Sequence, residues 1–191
     1  ASTLTLLTAI IIGFSYPLLP TQILWINLVT DGIMDISLAT EPDHGDIMEE
    51  KPLKKGAPIL NKEIVPYLII IVPVMVILAL LVFGYYRGES VEKARTAVFL
   101  VVAMTQVFNA FNMRSLKKSV FNIGFFTNKW IIIAFFASLI MQIAAIKLDF
   151  IQKIFHFKDL GWADIGIIIA ASSLVFIFGE LYKFFRLKFQ N

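Results

Sequence analysis

The chain has 191 residues, of which 58% are hydrophobic, and a formal net charge of +3. So large an apolar fraction excludes a single soluble domain and indicates an integral membrane protein embedded in a lipid bilayer. The small net charge, with basic residues at the ends of apolar segments, argues against nucleic-acid binding. The absence of cysteine excludes disulfides, thiolate metal sites and cysteine catalysis.

The apolar segments predict an all-α fold, a polytopic helical bundle with six membrane spans in one transmembrane domain over residues 1–191. Hydropathy and turn residues place the spans at about residues 1–16, 21–40, 64–86, 94–113, 130–146 and 163–185. The first span is truncated, because Ala1 already lies in an apolar stretch without a basic flank, which also argues against a signal peptide. We therefore expect this sequence to be the C-terminal part of a larger protein.

The second span contains the most informative stretch, residues 24–32, which read LWINLVTDG. An ionised Asp31 inside a span costs about 2.5–3.5 kcal/mol, so it needs a partner, a cavity or a cation. Asn27 and Thr30 precede it at helical spacing, which predicts three oxygen-bearing side chains on one face. Such oxygens suit a hard cation. Gly32 weakens a helix, so we expect the backbone to open there and present carbonyl oxygens.

A structural interpretation competes with this intramembrane cation site. Asn27 and Thr30 are also residues that form hydrogen bonds between helices, and Asp31 then pairs with a lysine reaching in from a helix end. Asp35 lies one turn beyond Asp31 and about 80° around the helix from Asn27. It either extends the site or lines a cytoplasmic ion path, or it caps the helix or forms a salt bridge near the interface.

In the fourth span, Gln106 and Asn109 share a face and can complete the shell of an ion from the opposite side. The alternative for both is hydrogen bonding between helices. The span thus offers a second group of candidate oxygen ligands.

The remaining spans are predicted to support the fold. Pro66 and Pro73 predict a bend in the third span. The fifth span has almost no internal polarity beyond Ser138 and Gln142 and is interpreted as scaffold. Near the end of the sixth span, Glu180 is interpreted as the partner of a neighbouring lysine.

The distribution of basic residues predicts that both ends are cytoplasmic. Lys and Arg accumulate in cytoplasmic loops, and six spans place both ends on one side. The opposite side holds six of the 17 Lys and Arg residues, namely Arg87, Lys93, Arg95, Lys147, Lys153 and Lys158. We expect a multi-pass protein with both ends cytoplasmic. We also expect it to lie in the plasma membrane of a bacterium.

The runs PLLPTQILWINLVTDG and SLATEPDHGDIMEEKPLKKGAPIL resemble the last membrane region of P-type cation-transporting ATPases, most of all the calcium-pump-like subgroup. The resemblance implies spans five to ten of a ten-span pump, in which Asn27, Thr30 and Asp31 match ion-ligating positions of the sixth helix. It also implies that upstream membrane helices and cytoplasmic domains, which bind Mg-ATP and carry the phosphorylated aspartate, complete the parent pump. This chain has no Asp-Lys-Thr-Gly, Thr-Gly-Glu or Gly-Asp-Gly-x-Asn-Asp motif, so alone it should not hydrolyse ATP.

Departures from the pattern of calcium pumps with two sites limit the expected ion. Ala1 lies about where those pumps carry one glutamate, and Gln106 stands where they carry another. Asp35 replaces a small residue and Met34 a proline. With two carboxylates fewer, we expect at most one divalent ion, bound by Asn27 and Asp31 with ligands from an upstream helix, and Thr30 at the periphery. Ca²⁺ is the first choice, then Mn²⁺, then Na⁺ or protons.

Two other classes of function use similar sequence features. A cation channel or a gradient-driven transporter also places acids in broken helices at mid-membrane. An internal repeat typical of transporters is not evident between residues 1–90 and 91–191. A purely structural membrane subunit has no need of acids such as Asp31 and Asp35 in apolar surroundings.

Overall fold

The structure, a computed structural model, describes residues 1–43 and 64–190, without the side chains of residues 187, 189 and 190. These ranges contain helices and no strand. Most of the polar loop predicted over residues 41–63 lies outside them. The α-helices are α1 (Ser2–Ile11), α2 (Pro20–Trp25), α3 (Gly32–Ala39), α4 (Ile64–Tyr86), α5 (Val91–Met113), α6 (Val120–Ile123), α7 (Lys129–Lys147), α8 (Asp149–Phe155), α9 (Trp162–Ser172) and α10 (Leu174–Gln190), and a π-helical segment (Ile26–Asp31) joins α2 to α3.

The prediction of an all-helical membrane bundle is confirmed. In the described residues, four helical stretches are long and apolar enough to cross a bilayer: α4, α5, α7, and the run Trp162–Arg186 formed by α9 and α10. The count of six spans stays a prediction, because α1 has 10 residues and the second predicted span is divided into α2, the π-helical segment and α3.

Helix α5 lies at the centre of the bundle. It is buried along most of its length and packs against α4, α7, α9, α10 and the π-helical segment. Alanines such as Ala97 and Ala103, both fully buried, allow its neighbours to approach closely. Thr96 and Thr105 bond back to carbonyls of the same helix, at 3.0 and 2.8 Å. Both threonines therefore satisfy their hydroxyls within α5 itself.

Helix α10 packs closely against α5 at Gly179. A Cβ atom added there would overlap the side-chain amide of Asn112. The Asn112 amide donates to the carbonyl of Val175 at 3.1 Å, across the same contact. One turn further, Lys183 lies 2.8 Å from Glu180, and the Ser119 hydroxyl also donates to Glu180. The prediction that Glu180 pairs with a neighbouring lysine is confirmed.

The end of α3 is fixed by a network around Arg114, which we call the Arg114 network: Arg114, Glu41, Thr127 and Asn128. The guanidinium Nε donates to both carboxylate oxygens of Glu41, at 2.9 and 3.1 Å, and an Nη atom donates to the Thr127 hydroxyl at 2.6 Å. The Asn128 amide donates to Glu41 at 2.7 Å and to the Ser37 carbonyl at 3.0 Å. These contacts join the ends of α3 and α5 to the start of α7.

Helix α4 runs without interruption through Pro73, and at its end the two tyrosines differ. Tyr85 is exposed, as expected of a residue at the membrane interface. Tyr86 is buried and donates to Asp164 at 2.8 Å. Asp164 also lies 3.3 Å from Lys93, so this end of the bundle ties α4, α5 and α9 together.

Candidate cation site

The backbone of the second predicted span changes its helical pattern at the candidate site. Residues Ile26–Asp31 form a π-helix, whereas Trp25 before it and Gly32 after it have ordinary right-handed α-helical dihedral angles. The sequence predicts an opening at Gly32; the structure instead places the irregularity in the six residues that precede it. Short π-helical turns inside α-helices occur frequently at functional sites.

The π-helical turn also separates side chains that an α-helix would align. Thr30 is fully buried, Asn27 is exposed and Asp31 is partly exposed. A π-helix bonds residue i to i+5 and so holds more residues per turn than an α-helix. Three residues after Asn27, the chain has therefore turned less far than an α-helix would. The prediction that Asn27, Thr30 and Asp31 share one face is wrong for Thr30.

Thr30 contacts α7 through Gln142. The Gln142 amide nitrogen donates to the Thr30 hydroxyl oxygen at 2.7 Å, and its amide oxygen accepts from the Trp25 indole at 3.1 Å. The sequence interpretation of the fifth span as scaffold missed this contact. The available signal was an isolated glutamine in an otherwise apolar span, since such residues form hydrogen bonds with neighbouring helices.

The carboxylates of Asp31 and Asp35 make neither a hydrogen bond nor an ion pair within the part of the chain that the structure describes. The lysine partner that the structural interpretation requires for Asp31 is therefore not found among those residues. Asp35 is exposed in the first turn of α3, and its charge acts on Asp31. The two acids thus form a region of negative charge that is not paired with a side chain among the described residues.

On α5, the two amides of the fourth predicted span have different surroundings. Asn109 accepts a hydrogen bond from the Tyr67 hydroxyl, which agrees with the structural alternative for this residue. The Oε1 atom of Gln106 is buried and has no hydrogen-bond partner among the described residues. Because α5 packs against the π-helical segment, Gln106 offers a spare acceptor on the neighbouring helix.

The donors in this region are carboxylate and amide oxygens, the ligands that hard cations prefer. Within residues 1–43 and 64–190, no group of three or more His, Cys, Asp or Glu side chains is arranged to hold a metal ion. Any cation bound here by this part of the chain therefore depends on amide oxygens as well as on acids.

Comparison with known proteins agrees with the resemblance found in the sequence. The sequence profile of the family described as "Cation transporting ATPase, C-terminus" matches residues 15–185. Calcium-transporting ATPase 1 of Bacillus cereus is 32% identical over 198 aligned positions, covering 94% of this chain and 22% of the relative. Calcium-transporting ATPase 1 of Yarrowia lipolytica is 34% identical, covering 93% and 19%, and mouse calcium-transporting ATPase type 2C member 2 is 33% identical, covering 87% and 18%.

This chain spans about a fifth of the length of these relatives. The family profile nevertheless covers most of the chain, from the turn before α2 to the last turns of α10. The chain therefore belongs to the family of C-terminal membrane regions of cation-transporting P-type ATPases.

Proposed function

We propose that this chain is the membrane part of an ATP-driven cation pump and that its π-helical segment contributes ligands to the transported cation. The observation that carries the proposal is the pair of unpartnered oxygen groups on two packed helices. The Asp31 carboxylate and the buried Oε1 of Gln106 both lack a protein partner among the described residues. Uncompensated acids in membrane helices are costly and mark ion pathways.

The ligands that this chain supplies are Asn27, Asp31 and Gln106. Thr30 lies at the periphery of the proposed metal site, because its hydroxyl oxygen accepts a hydrogen bond from Gln142. Asp35, one turn beyond Asp31, adds negative charge on the cytoplasmic path of the ion. With so few carboxylates the site holds a single divalent ion, whose remaining ligands come from a helix upstream of this chain.

Ca²⁺ is the cation that we propose, with Mn²⁺ and Na⁺ as alternatives. The names of the relatives supply the first argument, since all three are calcium-transporting ATPases. The chemistry supplies the second, because Ca²⁺ accepts mixed carboxylate, amide and backbone oxygens in flexible geometry.

The same face requires a protein partner. Asn27 and Asp35 are exposed on helices of a membrane bundle, and an ionised side chain facing lipid is costly. We propose that membrane helices upstream of residue 1 in the parent pump cover this face, and that Mg-ATP acts in its cytoplasmic domains. Both ends of the present chain are proposed to be cytoplasmic, in a bacterial plasma membrane.

The test is ATP hydrolysis by the full-length parent protein in vesicles, with Ca²⁺, Mn²⁺ and Na⁺ titrated separately. Asp31→Asn should abolish activation by the transported cation. The matched control is Asp159→Asn, the same chemical change at a side chain that is 60% exposed and lies 2.7 Å from Lys147. Equal activation in the wild type and Asp31→Asn would remove Asp31 from the site.

A further inference from the structure

The geometry points to Gln142 as the positioning residue of the candidate cation site, acting through Thr30 to hold the segment Ile26–Asp31 in its π-helical geometry. Gln142 belongs to α7, not to the helices that carry the candidate ligands. This inference rests on the proposed function, since it assigns a role toward the same cation.

Both polar atoms of the Gln142 side chain are used on the π-helical segment or its boundary. The residue is fully buried. Its nitrogen donates to Thr30 at 2.7 Å and its oxygen accepts from Trp25 at 3.1 Å. Trp25 directly precedes the π-helical segment and Thr30 is its fifth residue, so one amide spans almost the whole irregular stretch.

A π-helical turn needs such support from outside. Isolated π-helices are rare, because their hydrogen-bonding pattern is less favourable than that of the α-helix. If the two bonds to Gln142 are removed, the segment can return to α-helical geometry, which would rotate Thr30 toward Asn27. The two bonds therefore favour the π-helical geometry over the regular one.

The position of Asp31 is coupled to the same contact. Thr30 and Asp31 are consecutive. The backbone rotation that brings the Thr30 hydroxyl to Gln142 therefore also sets the direction of the Asp31 side chain. The chain that leads into the π-helical segment is held by α8 as well: the Trp25 ring packs edge-on against Phe155 with centroids 5.0 Å apart, and the Gln22 amide donates to the Phe155 carbonyl at 3.2 Å. Residues that orient ligands in this way typically change metal affinity about 10–100-fold when replaced.

The experiment measures the half-activating Ca²⁺ concentration and the maximal ATPase rate of the full-length parent protein in vesicles. Gln142→Met keeps the volume and removes both hydrogen bonds. It should raise the half-activating concentration by about tenfold or more, with the maximal rate within about twofold of the wild type. Thr30→Val should act in the same direction, whereas Thr30→Ser, which keeps the hydroxyl, should restore nearly wild-type affinity.

The double variant Gln142→Met with Thr30→Val should have the same half-activating Ca²⁺ concentration as the more affected single variant, because the two residues act through one contact. Ser138→Ala is the matched control: Ser138 lies one turn earlier on α7, equally buried, and its hydroxyl has no partner among the described residues. It should leave the Ca²⁺ dependence unchanged.

Two results would overturn the inference. In the first, Gln142→Met lowers the amount of folded protein but leaves the half-activating concentration unchanged, which shows a purely structural role. In the second, the single effects add in the double variant. Asp31→Asn in the same vesicles distinguishes failure of the proposed function from failure of the inference about Gln142. If Asp31→Asn leaves Ca²⁺ activation intact, the proposed function fails and the inference with it. If it abolishes activation while Gln142→Met shifts nothing, only the inference fails.

Discussion

Two polar regions of this bundle differ in whether their polar groups have partners within the protein. In the Arg114 network a buried guanidinium, a carboxylate and an amide bond one another, and the Asn128 oxygen accepts from the backbone of Trp130 at 2.9 Å. The second region comprises the π-helical segment and the part of α5 that carries Gln106; there the Asp31 carboxylate and the Gln106 oxygen have no such partner among the described residues. The first region fixes helices because its charged groups bond one another, whereas the second leaves oxygen atoms free for the cation that we propose.

The largest expected effect concerns the first region. Arg114→Met removes the buried guanidinium that pairs with Glu41, and removing one partner of a buried pair costs about 3–5 kcal/mol. The variant should lose much of its folded population, measured by size-exclusion chromatography of the detergent-solubilised parent protein after heating. The Ca²⁺ dependence of the folded fraction should stay unchanged. A shifted Ca²⁺ dependence with normal heat resistance would contradict the division between the two regions.

The second prediction concerns stabilisation by the cation. At a Ca²⁺ concentration of 100 times the dissociation constant, binding stabilises the folded parent protein by about 2.7 kcal/mol. Asp31→Asn should remove this gain, so that thermal unfolding with and without Ca²⁺ coincides. The melting temperature in EGTA should remain close to that of the wild type, because Asp31 bonds nothing among the described residues. A large destabilisation in EGTA would mean that Asp31 has a structural role after all.

The contrast between the regions also shows what the sequence can predict. An all-helical membrane bundle follows from the apolar runs alone, and the pairing of Glu180 with Lys183 follows from their spacing on one helix. The family resemblance follows from a dense motif around Asp31. These features are local, so a pattern read along the chain is sufficient for them.

The arrangement of side chains at the candidate site is harder to predict from the sequence. An α-helical spacing rule aligns Thr30 with Asn27, but a π-helical turn is a choice of backbone geometry that depends on tertiary contacts. The hydrogen bond to the π-helical segment comes from Gln142, which is 112 residues from Thr30 in the sequence. Such a contact leaves no periodic signal in either segment.

An effect of intermediate size is expected at the contact between α10 and α5. Gly179→Ala adds a methyl group that overlaps the Asn112 amide, so Asn112 must move and lose its bond to the Val175 carbonyl. Overpacking of this kind costs about 2 kcal/mol. We expect a lower midpoint of thermal unfolding with unaltered Ca²⁺ affinity. Gly166→Ala is the control, because a Cβ atom there meets nothing within 4 Å. Equal destabilisation by both would refute the specific contact.

The smallest expected effect is that of Asp35→Asn, and it decides whether the proposed cation site extends beyond Asp31. Asp35 has no salt bridge among the described residues, and we propose that it acts on the cation through its charge. Removing its charge one turn from Asp31 should raise the half-activating Ca²⁺ concentration about fivefold, or about 1 kcal/mol. The maximal rate should not change, and Asp35→Glu should behave as the wild type. If Asp35→Asn binds Ca²⁺ as tightly as the wild type, the site ends at Asp31, and the carboxylate of Asp35 plays no part in attracting the ion.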